Sequence, residues 1–341
     1  MSKVFSRLFN VVCLTLLCVV AIISAIFNPW THAQGALAAH PLALGTVHEY
    51  RIPYQAGLAG DITQGPDGAL WFTEPSRAKI GRITTSGRFR DFEVGNGEPY
   101  QITQAHGALW FTETIASQIG RITPTGNVTQ FPLTTPGFTA SGITEGPDGA
   151  LWFTEANNSN GNSAIGRLTP SGHITEFPLA RFSYPVGITE GPDGALWFTE
   201  TENSQIGRIT TTGHIREFSL PVPNSFPGAI TLGPDGALWF AEYRSPDSQI
   251  GRITPAGNIT EFPIPTPEAF PQGITQGPDR ALWFTETNSN QIGRITTNGH
   301  IREFPLPETL SGPLGITQGP DQHLWFNIER GHYIGRISSG R

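Results

Sequence analysis

Chemistry in this 341-residue chain must come from carboxylates, imidazoles and amides, because its two cysteines, Cys13 and Cys18, both lie in an apolar N-terminal stretch. Disulfide frameworks, cysteine-based zinc sites and catalytic thiolates are thereby excluded from the rest. The most suggestive pair is Glu329 and His332, three residues apart in the run Glu329-Arg330-Gly331-His332-Tyr333. A carboxylate beside an imidazole suits a divalent cation, oxygen ligation favouring magnesium or calcium and imidazole favouring zinc or another transition metal. Glu329 is the candidate metal ligand, and with only two protein ligands a bound molecule would have to complete the shell. Tyr100 and Gln272 add a phenol and an amide able to hydrogen-bond a ligand. Other histidines carry less: His173, His214 and His300 each follow a turn glycine, His106 and His323 also fall in turns, and all read as turn residues without a chemical role.

The elements that position these residues repeat. A Trp-Phe pair recurs at Trp71, Trp110, Trp152, Trp197, Trp239, Trp283 and Trp325, at spacings of 39, 42, 45, 42, 44 and 42 residues. That is the period of a propeller blade. Each copy reads as four short strands with turn chemistry between them: Gly187-Ile188-Thr189, then Ala195-Leu196-Trp197-Phe198, then Ile206-Gly207-Arg208-Ile209, then Ile215 to Leu220. Ala-Leu-Trp-Phe is apolar on consecutive residues, so both of its faces must be covered, as in a middle strand wedged between neighbouring blades. Pro178, Pro263 and Pro305 cannot donate to a ladder and place the fourth segment at the blade's outer edge. The last copy stops at Ile334-Gly335-Arg336-Ile337 without a fourth strand, whereas Val47-His48-Glu49-Tyr50-Arg51-Ile52-Pro53 matches Ile301-Arg302-Glu303-Phe304-Pro305-Leu306-Pro307 position by position. The sequence therefore predicts an all-β fold over residues 47–341, a seven-bladed β-propeller of four-stranded blades closed by an N-terminal strand that completes blade seven.

Alternating strand direction puts the start of each inner strand and the end of each Trp strand on one face, which collects Asp61, Tyr100, Gln272, Leu314, Glu329 and His332. A glutamate recurs at Glu74, Glu113, Glu155, Glu200, Glu242 and Glu286, with an arginine at Arg82, Arg121, Arg167, Arg208, Arg252 and Arg294. The expectation is a ladder of Glu–Arg pairs between neighbouring strands. Blade seven departs from it, with Ile328 in the glutamate position and Glu329 one residue later. Residues 157–162, polar and glycine-containing, read as a surface insertion.

The run from Gly142 through Pro147-Asp148-Gly149-Ala150-Leu151-Trp152-Phe153-Thr154-Glu155, followed by Ile165-Gly166-Arg167, closely resembles the virginiamycin B lyase (streptogramin lyase) family, and the resemblance covers residues 47–341. It implies a seven-bladed propeller and a carbon-oxygen lyase that linearises cyclic depsipeptide antibiotics by elimination at an ester, with magnesium. The family's site is two histidines in Pro-His-Gly/Ala-Ile motifs of the last two blades, a glutamate two residues before the second, and another four residues after the last Trp. A base removes a proton next to a carbonyl, a cation stabilises the enolate, and an acid protonates the leaving oxygen. Here the motifs read Pro271-Gln272-Gly273-Ile274 and Pro313-Leu314-Gly315-Ile316, with Gly312 in the first glutamate position; Glu329 alone matches. Neither glutamine nor leucine exchanges a proton near neutral pH, and general acid–base catalysis contributes about 10²–10⁴-fold. The expectation is a ligand- or partner-binding propeller without the family's catalytic histidines, magnesium being implied by resemblance alone. The alternative is a lyase rebuilt around Glu329 and His332. A metal-dependent lactonase-type propeller would need several carboxylates at the channel mouth, where the sequence offers Asp61 and Glu329.

Lys3 and Arg7 precede the uncharged apolar residues 11–27 and the small-residue stretch 33–39. This is the order of a secretory signal, and the apolar run is also just long enough to span a bilayer. Residues 1–38 are expected to be a signal peptide or N-terminal membrane anchor and 39–46 a linker, placing the propeller outside the cytoplasm, secreted or anchored. Lys plus Arg number 21 against 28 Asp plus Glu, giving a net charge of −7 with no basic run beyond the first seven residues. Phosphate-neutralising nucleic-acid binding is excluded. The remaining partner class is a small molecule or peptide at the channel mouth of a monomer.

Overall fold

A computed structural model describes residues 43–54, 57, 60–244, 246–328 and 333–340. The expected leader, residues 1–38, and the first part of the linker lie outside them. The described chain forms seven four-stranded antiparallel sheets. Blade four is representative: Pro185–Glu190, Ala195–Glu200, Gln205–Thr210 and Ile215–Ser219, in sequence order from the inside outward. Neighbouring inner strands touch all the way round, including Ile62–Gln64 of blade one against Pro313–Gln318 of blade seven, so the ring is closed. The strands that end in Pro178, Pro263 and Pro305 are outermost, as predicted.

Consecutive apolar residues are buried on both sides of the second strand, because each Trp packs on the Leu and Phe of the following blade: Trp197 on Leu238 and Phe240, and Trp325 on Leu70 and Phe72. Burial of one such indole removes about 150–250 Å² from water, worth at most roughly 4–6 kcal/mol. The third strand supplies room: a Cβ at Gly207 would collide with the Phe198 ring.

Val47–Arg51 pairs with Tyr333–Ile337 from Val47↔Ile337 to Arg51↔Tyr333. Tyr50 stacks on Trp325 at 4.9 Å, as Phe304 stacks on Trp283 at 5.5 Å. The N-terminal strand therefore completes blade seven in packing as well as in pairing.

The expected Glu–Arg ladder is corrected. Arg252 stands in register with Trp239, whereas Glu242 lies three residues farther along, opposite Gln249. An odd offset along a strand turns a side chain to the other face, so the two never meet. Instead, Asp235 in the preceding turn accepts from Trp239 Nε1 at 3.0 Å and Arg252 Nε at 2.7 Å, and the guanidinium lies 5.8 Å from the indole. Asp67, Asp148, Asp193, Asp279 and Asp321 repeat the arginine pairing with Arg82, Arg167, Arg208, Arg294 and Arg336. Blade two has no turn aspartate, and Trp110 donates to the Ala105 carbonyl.

Candidate functional site at the channel mouth

The inner strands enclose a channel of about 300 Å³, lined in part by Asp61, Tyr100, Gln101, Gln272 and Leu314. Its geometry begins with the threonine after each Trp-Phe pair. Thr199 Oγ1 accepts from Gly187 N–H at 2.9 Å and donates to the Gly228 carbonyl of the next blade at 2.8 Å. Thr73 does the same between Asp61 N–H, at 2.8 Å, and the Tyr100 carbonyl, at 2.7 Å. Thr285 joins Gly273 N–H to the Leu314 carbonyl at 2.8 and 2.6 Å. In blade seven Asn327 Oδ1 takes the accepting part, from Gly315 N–H at 2.7 Å. One buried hydroxyl thus ties the start of its own inner strand to the next blade.

Tyr100, Gln272 and Leu314 are each the second residue of an inner strand, Pro99–Ala105, Pro271–Gln276 and Pro313–Gln318. All three strands break register between the leading proline and the following isoleucine, with that position inside the break, the kind of bulge that re-aims side chains. Asp61 immediately precedes Ile62–Gln64. Its Oδ2 accepts from Ile102 N–H at 3.3 Å. Burial pushes its carboxyl up to about 6, against the lowering effect of backbone donors at Ile62 and Ile102. Tyr100 keeps 41% of its surface accessible, on the channel side. The protein around its ring raises the phenol pKa, and the Asp61 charge adds to the rise.

Of the side chains selected from the sequence, the fold brings Tyr100 and Gln272 into one channel with Leu314, while Glu329 and His332 lie outside the described residues. Asp61 was legible only as a lactonase-type carboxylate. The sharper signal was its place in the repeat, where the other blades carry Gln101, Gly142, Gly187, Ala229, Gly273 and Gly315 before the isoleucine. His173, His214 and His300 are exposed turn residues, as expected. His106 is exposed too, its Nε2 lying 2.9 Å from the Gly149 carbonyl. His323 is half-buried, which lowers its pKa, with Arg336 adding to the effect.

A second set of carboxylates lies inside the blades rather than in the channel. Burial raises Glu155 and Glu242 to about 8 and Glu200 and Glu286 to about 7. Outer-strand Glu176, Glu261, Glu217 and Glu303 respectively add like charge. Blade one offsets the same position with cations, Arg77 meeting Glu74 at 2.6 Å and Asp91 at 3.3 Å. Blade two uses amides, Gln130 and Gln118 donating to Glu113.

Magnesium needs several oxygen ligands. Gln272, Gly312 and Leu314 supply neither carboxylate nor imidazole, and among the described residues no group of three or more His, Cys, Asp or Glu is placed to hold a metal. The described residues do not fit the ion that the resemblance implies.

Comparison with known proteins agrees with this architecture. The virginiamycin B lyase family matches residues 30–245 and 223–341. A streptogramin B lyase structure is 41% identical, with a TM-score of 0.80 over 85% of this chain and 96% of that one. Virginiamycin B lyase from Staphylococcus aureus, in selenomethionine form, is 42% identical, with a TM-score of 0.79 over 86% and 98%. A catalytically inactive histidine-to-alanine variant of the S. aureus enzyme with quinupristin is also 42% identical, with a TM-score of 0.80 over 86% and 98%. No curated protein matches the chain. With the Trp-centred blade, the seven-membered ring and nearly the whole length of these lyases shared, the chain belongs to the virginiamycin B lyase family.

Proposed function

We propose that this protein is an exported propeller that binds a small molecule or peptide at its channel mouth and does not carry out the family's ring-opening elimination. One observation carries the reading: Gln272 and Leu314 occupy the second positions of inner strands six and seven, at the channel, where the family resemblance calls for histidines. An amide and an alkyl group cannot relay a proton, so the acid–base step has no carrier there. Binding without turnover has a parallel in the inactive S. aureus variant, whose structure holds quinupristin. Export rests on the signal-like order of residues 1–38.

The test is incubation of the purified protein with quinupristin and magnesium, mass spectrometry reporting linear product and calorimetry reporting binding. The expected result is binding with no product above a no-protein control. Turnover abolished by chelation and restored by magnesium would establish the alternative, a carbon-oxygen lyase rebuilt around Glu329 and His332. That alternative draws on Glu329 standing four residues after Trp325, where the family's glutamate belongs. Cell fractionation tests export: a full-length chain soluble in the cytoplasm would refute it.

A further inference from the structure

Asp61 is the sole charged side chain among the described residues that line the channel. The fold does not require it. The backbone donation to Thr73 that Asp61 makes is made at the same position by glycine in blades three, four and six, toward Thr154, Thr199 and Thr285. Blade seven accommodates the carboxylate: a Cβ on Gly315 would stand 2.6 Å from Asp61 Oδ1, so the neighbouring strand is bare where the aspartate lies. Only backbone donors at Ile62 and Ile102 reach its carboxylate among the described residues, the Ile102 N–H at 3.3 Å, long for a charge-assisted bond.

We infer that Asp61 forms, with Tyr100 and Gln272, a subsite in the channel for the ammonium group of an amine-bearing ligand. A partly desolvated anion attracts a cation more strongly than it would in bulk water. One carboxylate among neutral oxygens is too few ligands to strip the water from a divalent ion, whereas an ammonium needs one anion, a few acceptors and an aromatic face. Among the described residues Tyr100 is the other titratable group lining this channel, and it is neutral below its raised pKa. The carboxyl, at about 6, is ionised at pH 7.5 and protonated below that value, so binding weakens as the pH falls through 6.

The inference rests on the channel-mouth reading, and the experiment separates the two. The full chain is titrated at pH 7.5 with n-butylammonium, n-butanol and magnesium, binding being followed by ligand-observed NMR, with quinupristin in parallel by calorimetry. Butylammonium is expected to bind at least tenfold more tightly than butanol, and Asp61→Asn to remove that preference. Asp61→Gly, which restores the residue found in four other blades, guards against a folding defect and should behave the same way. Equal butylammonium binding by wild type and both variants, absence of binding by wild type, or displacement of butylammonium by millimolar magnesium would each overturn the proposal. Quinupristin binding without butylammonium binding refutes the subsite alone; failure of both refutes the channel-mouth reading too.

Discussion

Glu155 is fully buried, and neither of its carboxylate oxygens has a hydrogen-bond partner among the described residues. A neutral acid tolerates that position better than an anion does, which is why its folded pKa is about 8. Because this value is raised above the ordinary 4.5, the folded protein retains a proton that the unfolded chain releases. The resulting stability is fully present below pH 4.5 and is lost as the pH rises through 8. Glu155→Gln, which copies the neutral acid, is expected to melt like wild type near pH 5 and above it at pH 8.5, by on the order of a few kcal/mol at most. Thermal denaturation across that range checks it; a difference independent of pH would contradict it. The turn aspartates have the opposite sign. Hydrogen bonds from Trp239 and Arg252 outweigh burial and lower the Asp235 pKa, so its contribution disappears only in acid. Asp235→Ala leaves the Trp239 indole N–H without its acceptor and should cost roughly 1–3 kcal/mol, measured by urea denaturation at pH 7.

At the scale of the element, ring closure depends on a strand far from its partner in sequence. Removing Val47–Arg51 would uncover the hydrogen-bonding edge of Tyr333–Ile337 and strip Tyr50 from Trp325. Exposed edges recruit other chains. The truncated protein should elute as aggregate and melt at lower temperature, and unchanged monomeric elution would show that closure does not depend on this strand. The threonine clamps act one level down. Thr199→Val keeps the shape but leaves Gly187 N–H and the Gly228 carbonyl unpaired between blades. A loss of roughly 1–3 kcal/mol is expected, with calorimetric unfolding as the measurement.

At the scale of the molecule, seven near-identical blades build one ring whose differences, rather than its repeats, distinguish a site. Among the described residues no helix is long and apolar enough to cross a membrane. The blade period, the buried Trp strand, the outer edge and the completion of blade seven were all readable from sequence, because each is a local periodicity or a proline constraint that survives any tertiary context. Two matters were decided only in three dimensions. The repeated Glu and Arg looked like partners by recurrence, yet strand register sends Arg252 to Asp235 at one end of the blade and leaves Glu242 buried at the other. Likewise Asp61, Tyr100 and Gln272 are separated by 39 and 172 residues along the chain but line one channel. Periodicity reports which residues are equivalent between blades; side-chain pairing depends on which face and which end of a strand each occupies, and closure of the ring brings distant copies together.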